Sequence, residues 1–465
     1  MEVFALNALW LGPVVAGGVS LFLSRRMLLG WLVLHGFIQV LLWIYLYEEG
    51  EGLGPVWSFL WFSFGSKPFF YAIGLHPVNV WLLLLTIVVG HAALFYAFSD
   101  TPRIRSFFAL VFILLGFVQG VFLARDVLLF FIFYEASLVP AFLLIYGWGG
   151  AFRRAAAVKF AIFTLGGSVL LMIGILWGYV GRVSGVWEEW RAMPLPAGAW
   201  LLMTVGLAVK LPLIPLHSWL GEAHVEADTP VSMLLASLLL KLGGFGLLSW
   251  VWMDGKEWAF FLRIWGGVSL LYAAAVATAQ TDLKRVIAFT SIGHMALVAI
   301  GAGSGSMIGI QGAYHQLFTH GIVSAGLFAW IGLVEKQMGG RSLSFLRGIF
   351  AGRSRWQLPA VLLFFAAMGV PGTNLFVSEL LVIWGVGVGA GWFWAMLPAL
   401  SLLLTGVYFL RVYRELAQPM GAVQGVDSGI FFSPREAVVW FLIGWVLVGG
   451  VYPQPWLELL SYVGP

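Results

Sequence analysis

Residues 127–146 read VLLFFIFYEASLVPAFLLIY, a run of 20 residues with one charge, Glu135, near its middle. As an α-helix such a run rises about 30 Å, the thickness of a bilayer's hydrocarbon core. The same kind of run recurs along the chain, near 3–23, 28–47, 78–98, 104–124, 155–180, 199–220, 229–252, 258–279, 284–302, 306–334, 359–387, 391–413 and 436–457. With 127–146 these predict fourteen spans, and the long run 306–334 has to tilt or project past the bilayer. Composition agrees: of 465 residues 61% are hydrophobic and 10% charged, against about 45–50% and about 25% in a soluble domain. A soluble enzyme, a nucleic-acid binder and a disordered chain are excluded. A transmembrane β-barrel would show short alternating segments, and none is visible. The absence of Cys excludes disulfides, thiolate-ligated iron–sulfur clusters and Cys-zinc sites. Glu2 precedes the first run and Arg25-Arg26 follow it, which marks a retained helix rather than a cleaved signal. The expected fold is an all-α polytopic membrane protein of about fourteen helices.

Basic residues set the orientation. Loops after odd-numbered spans hold sixteen Lys or Arg, and loops after even-numbered spans hold six. The odd loops are therefore expected in the cytoplasm and both termini outside. The formal charge of +4 comes from these loops and implies no nucleic acid. Three cations remain, Lys159, Lys210 and Lys241, and all lie inside apolar spans. The chain has 18 Arg and 7 Lys, yet its intramembrane cations are all Lys. Arg stays protonated in any protein, whereas a desolvated Lys can release its proton. That choice suits a site that loads and unloads protons.

Two acids lie within spans, Glu135 and Glu379, together with His91, His294, His315 and His320. Left unpaired and facing lipid, five charged side chains at mid-bilayer would cost roughly 12–17 kcal/mol. A whole domain is stable by only about 5–15 kcal/mol. The five must face the bundle interior, pair, or meet water. Glu135 with Lys210 as a buried pair that only fixes helix register is the plainer alternative, and such pairs gain little net stability. Lys159, near a span end, can snorkel. A lone intramembrane histidine such as His91 is more often a hydrogen-bonded core residue.

Two spans carry breakers beside a charge. In 206-GLAVKLPLIPLHSWL, Pro212 cannot bond the carbonyl of Ala208 nor Pro215 that of Leu211, and Lys210 lies between them. In 368-MGVPGTNLFVSELLVIW, Pro371-Gly372 precedes Glu379 by two turns. Broken backbone at membrane depth is tolerated only against protein or a water-filled cavity, so each break marks an ion site. The broken spans are the seventh and the twelfth, five apart. Asp126 and Asp282 stand at the same five-span offset, 156 positions apart, and Ser291 follows Asp282 as Glu135 follows Asp126. An odd number of spans per unit inverts the second copy, the mark of an inverted repeat. The expected division is 1–103 for helices 1–3, 104–252 for the first repeat, 253–416 for the second, and 417–465 for the last helix. No haem-spaced His pair, P-loop or dinucleotide fingerprint occurs. His217 and His224, with Glu222, Glu226 and Asp228, form a hydrogen-bonded loop or, less simply, a zinc site.

The stretch 210-KLPLIPLHSWLGEAHVEADTPVSMLLASLLLKLGGFG resembles the most characteristic segment of the antiporter-like subunits of respiratory complex I. The segments 134-YEASLVPAFLLIYGWG, 281-TDLKRVIAFTSIGHMALV and 319-THGIVSAGLF are similar to the same family in the same order, over roughly residues 100–415. The resemblance implies a proton-pumping membrane-arm subunit with Glu135, Lys210, Lys241 and Glu379 as its charged line and His294 and His320 in the connecting path. Glu rather than Lys at 379 resembles the M-type branch. It also implies partners: neighbouring L-type and N-type antiporter-like subunits, other membrane-arm subunits of complex I, and the lipid bilayer of a bacterial plasma (inner) membrane. FMN, iron–sulfur clusters and quinone are then expected in partner subunits, with no cofactor in this chain. Gly221, Asp228 and His76-Pro77 depart from the family pattern, and His315 is an extra histidine. A subunit of a multisubunit sodium/proton antiporter or membrane-bound hydrogenase shares the same chemistry. A passive spacer gains nothing from costly buried charge.

Overall fold

The computed structural model describes residues 1–49, 56–65, 67–251, 256–350, 355–418 and 433–461. Helix dominates the apolar runs of span length. Among the described residues twelve helices are long and apolar enough to cross a membrane, and Ala197–Lys210, Gln357–Ala367 and Asn374–Ala390 are shorter apolar helices. The two runs that carry proline breaks are parted by non-helical turns, into Ala197–Lys210 and Ser218–Glu226 and into Gln357–Ala367 and Asn374–Ala390, while the runs at 127–146 and 229–252 change helical segment without such a gap. The run at 306–334 is the helix Met307–Met338 of 32 residues. It starts at a Ser306 cap and stops where Gly339 turns into the left-handed region at φ 78. At 1.5 Å per residue it is longer than the hydrocarbon core is thick.

One element has no counterpart in the sequence reading. Val56–Phe64 and Lys67–Gly74 pair as an antiparallel hairpin with an irregularity between Leu60 and Phe62. The first strand, VWSFLWFSF, is apolar on both faces, so it lacks the alternation by which a half-buried strand is recognised. The second ends beside the start of the fifth span, where Arg125 N–H donates to the Ala72 carbonyl at 2.8 Å.

The chain forms two compact units, Met1–Pro212 with Leu238–Gly255 and Trp456–Pro465, and Leu213–Ser237 with Lys256–Pro455. In the first, Arg153–Gly178 and Ala197–Lys210 meet backbone to backbone at small residues. A Cβ on Gly206 would lie 2.5 Å from the Gly167 carbonyl oxygen, and one on Gly167 2.9 Å from that of Gly206. Lipid tails are as apolar as Leu, so such close approach, rather than hydrophobic burial, is what joins helices in a bilayer. Ile162, Val169 and Leu176 of the same helix are exposed, as a lipid-facing surface requires. In the second unit Met307–Met338 is buried along nearly all its length and packs on Leu283–Ala302 and Asn374–Ala390.

Candidate functional site

The first unit brings Glu135, Lys210 and Lys241 onto neighbouring helices. Asp126 starts the Glu135 helix by accepting from the N–H groups of Leu128 and Leu129 at 2.9 and 3.2 Å. Helix Ala197–Lys210 stops at Lys210 because Pro212 has no N–H to continue it. Lys210, 1% exposed, donates from Nζ to the Tyr134 carbonyl at 3.0 Å. The ammonium also lies 3.4 Å from the Tyr134 ring centroid, a cation–π contact. Glu135 itself accepts from Ser168 Oγ, and its charge acts on Lys210 from the next residue. In place of the direct pair expected from sequence, Lys210 turns to Tyr134 and Glu135 to Ser168. Tyr134 and Ser168 were not legible as site residues: a backbone carbonyl and a serine 33 positions away leave no local pattern.

Lys241 is fully buried. Its short α-segment Leu240–Gly246 lies between two π-helical turns, Leu235–Leu239 and Leu247–Val251. π-turns shift the hydrogen-bond ladder and recur at functional sites, yet no residue type announces them. Two residues on, a Cβ at Gly243 would lie 2.5 Å from Leu211 N, so this helix crosses the broken end beside Lys210.

The second unit brings together Glu379, His294 and His320. The chain breaks after Gln357–Ala367 and resumes at Asn374–Ala390. Gly369 turns the break at φ +64, and the Glu379 carboxylate folds back over it, with Oε2 2.1 Å from where a Gly369 Cβ would stand. Glu379 is 2% exposed. Its Oε1 lies 3.6 Å from His294 Nε2, and that nitrogen is 3.1 Å from the Ala367 carbonyl at the broken end. The His294 and His320 rings are 5.2 Å apart, edge to face. Among the described residues Glu379 Oε2 has no hydrogen-bond partner. Beside it, Ser378 Oγ donates to Gln316 Oε1 at 2.5 Å and lies 2.9 Å from Thr319 Oγ1. The three add a polar layer that the sequence did not single out.

The other candidates take lesser places. Lys159 is partly exposed, in keeping with snorkelling. His91 shares a 3.0 Å contact with His35 and bonds the Ile87 carbonyl at 2.7 Å. His224 stacks on Phe328, and His217 lies edge-on to Tyr272. Among the described residues no three His, Asp or Glu side chains converge as metal ligands.

The family model for the NADH:quinone oxidoreductase/Mrp antiporter transmembrane proteins matches residues 124–405, a range that includes the candidates Glu135, Lys210, Lys241, His294, His320 and Glu379. The chain belongs to this family. Among its relatives, NADH-quinone oxidoreductase subunit M of Rhodobacter capsulatus is 30% identical over 415 residues, 84% of this chain and 80% of that one. The subunit M of Escherichia coli is 34% identical over 417 residues, 83% and 80% of the two chains. A chain of respiratory complex I from Thermus thermophilus superposes with a TM-score of 0.86 at 27% identity, covering 100% of both. The Mrp complex of a Dietzia species shares the fold, with a TM-score of 0.85 at 18% identity over 99% of this chain and 97% of its own. Family membership agrees with the reading of 134–149, 210–246, 281–298 and 319–328.

Proposed function

We propose that this chain is an M-type, proton-carrying subunit in the membrane arm of an NADH–quinone oxidoreductase. One observation carries the reading: each of two broken helices holds a buried ionisable side chain at its break, Lys210 against Tyr134 and Glu379 over Gly369. Protons enter from the cytoplasm to Lys210, move by way of Lys241, His294 and His320, and leave toward the outside past Glu379. Lys210 is the switch, held charged while Glu135 acts on it and able to release its proton when that attraction weakens. Moving one charge against the membrane potential costs about 2.3 kcal/mol per 100 mV. That energy comes from redox chemistry in partner subunits that hold FMN, iron–sulfur clusters and quinone. The neighbours are L-type and N-type antiporter-like subunits, the membrane is the bacterial inner membrane, and both termini face outside.

The two broken helices belong to two inverted repeats. Supporting this, an antiparallel bridge joins Asp126 to Val186 and another joins Asp282 to Ser342. The spacing within each bridge is the same, and the second stands 156 positions after the first. A subunit of a sodium/proton antiporter is the alternative. Purified parent complex in sealed vesicles separates them: NADH-driven proton movement, indifferent to sodium and lost in Lys210→Ala, is the expected result. Full pumping by Lys210→Ala refutes the role of Lys210, and sodium-dependent movement without NADH favours the antiporter.

A further inference from the structure

The two bridges, each at the start of the second span of its repeat, are built alike in backbone and differently in charge. In each, the residue after the aspartate donates across and the partner strand donates back. Val127 N–H reaches the Gly185 carbonyl at 2.9 Å and Trp187 N–H the Arg125 carbonyl at 2.8 Å; Leu283 reaches Arg341 at 3.2 Å and Leu343 reaches Thr281 at 2.8 Å. At the second bridge Asp282 is paired with Arg341 at 2.6 Å, and Arg341 and Lys284 both bind Glu335, at 2.9 and 3.0 Å. Stepping back 156 positions, Gly185 stands for Arg341, Tyr179 for Glu335 and Leu128 for Lys284. The first bridge thus keeps its aspartate and lacks the cation.

Asp126 is 1% exposed. Its Oδ1 caps the helix, while among the described residues neither Oδ2 nor the Tyr179 hydroxyl has a hydrogen-bond partner. Both flank the bare Cα of Gly185: a Cβ there would lie 1.9 Å from the phenol oxygen and 3.0 Å from Asp126 Oδ2. The charged groups around them are engaged elsewhere. Arg125 pairs with Glu188 and lies over Trp187, and Arg191 lies over the same ring. Lys67 donates to the carbonyls of Tyr179 and Arg182, Arg182 to those of Gly178, Trp190 and Met193, and Ser184 to Glu189. His76 packs on Trp187. The backbone N–H of Phe70 also faces the carboxyl.

We propose that Asp126 and Tyr179 form a proton-binding joint at the start of the span Val127–Trp148: the neutral carboxyl keeps the bridge to residues 185–187 closed, and loss of its proton, leaving a buried carboxylate without a cation, loosens it. The joint lies apart from the lysine–glutamate line, because Phe130, packed on Tyr134 and Trp250, occupies the intervening turns. It is a sensor of pH at its face of the membrane rather than a step in transport. Under the orientation of the basic loops that face is the outside, so accumulating protons there tighten the span that carries Glu135.

Burial raises the Asp126 carboxyl from 3.8 to about 6. The closed joint therefore binds its proton more tightly than the open one, and closure weakens as pH rises from about 4 to about 6 and then levels. His76, held down to about 3 mainly by burial, acts in the opposite sense over the same window. Comparison with Asp126→Asn cancels that contribution, and Asn keeps the helix cap.

The test is hydrogen–deuterium exchange of the Val127 and Trp187 amides in the intact parent complex, for native protein and the Asp126→Asn and Tyr179→Phe variants. From about pH 4.5 to about pH 6.5 the native-to-Asp126→Asn ratio of exchange, corrected for intrinsic rates, rises roughly twentyfold. A ratio that does not change with pH overturns the proposal. Tyr179→Phe removes only the hydroxyl and must alter the pH profile; a profile identical to native removes Tyr179 from the joint and refutes the pair, including in the event that Asp126→Asn does not assemble.

Discussion

Replacing Gly369 by Ala tests the geometry of the second break. Gly369 has φ +64, and the added Cβ would stand 2.1 Å from Glu379 Oε2 and 2.5 Å from Leu402 Cδ2. Ordinary Cβ contacts begin at 3.4 Å, so the carboxylate has to withdraw by roughly 1 Å from the place where it faces His294. Misplacing a reacting group by about 1 Å can cost about a hundredfold in rate. Gly372→Ala is the matched control: its φ is +92, and nothing lies within 4 Å of its added Cβ. Both variants incur the left-handed backbone penalty of about 1–2 kcal/mol, so both should lower the melting temperature of the assembled complex similarly. Only Gly369→Ala should also lose NADH-driven proton movement in vesicles, by about tenfold or more. Equal pumping by the two variants would show that the position of Glu379 over the break carries no function.

Lys210→Arg keeps the charge but places there a group that does not release its proton in proteins, so the assembled complex should stop pumping as completely as with Lys210→Ala; near-native pumping, measured with a membrane-potential dye, would mean that charge alone suffices. Gly206→Leu places a Cβ 2.5 Å from the Gly167 carbonyl oxygen, and the subunit should fail to assemble on native gels, whereas Gly166→Leu, with open space beside it, should assemble. Arg341→Ala removes two part-exposed ion pairs, to Asp282 and Glu335, and should destabilise the subunit by about 1–2 kcal/mol, with less difference from native at high salt in a thermal melt.

Much of the fold was legible because the bilayer allows few solutions. Apolar runs of span length had to be helices, and Pro212, Pro215 and Pro371-Gly372 announced the two breaks since proline cannot extend a helical ladder. The four residues Glu135, Lys210, Lys241 and Glu379 stood out because charge in hydrocarbon is costly. The contacts around each of them were hidden. Lys210 turns to a backbone carbonyl, that of Tyr134, which has no sequence signature. The π-turns on either side of Lys241 occur in leucine-rich sequence indistinguishable from α-helix. Gly369 reads as a loop glycine, and only the structure shows the Glu379 carboxylate lying on it. The hairpin Val56–Gly74 escaped because its outer strand is apolar on both faces. The distinction between Asp126 and Asp282 lay far from both aspartates in sequence, in Gly185 and Arg341 some sixty residues downstream.

Glu379 offers the most direct test of a proton path through this chain. The measurement is NADH-driven proton movement into sealed vesicles by the purified parent complex, with quinone reduction followed in parallel, for native protein and Glu379→Gln. Gln keeps the size and hydrogen-bonding capacity of the side chain while removing its proton chemistry. A proton path through Glu379 requires that pumping is lost while quinone reduction persists, slowed or unchanged. Undiminished pumping by Glu379→Gln would contradict it and leave Glu379 a structural residue.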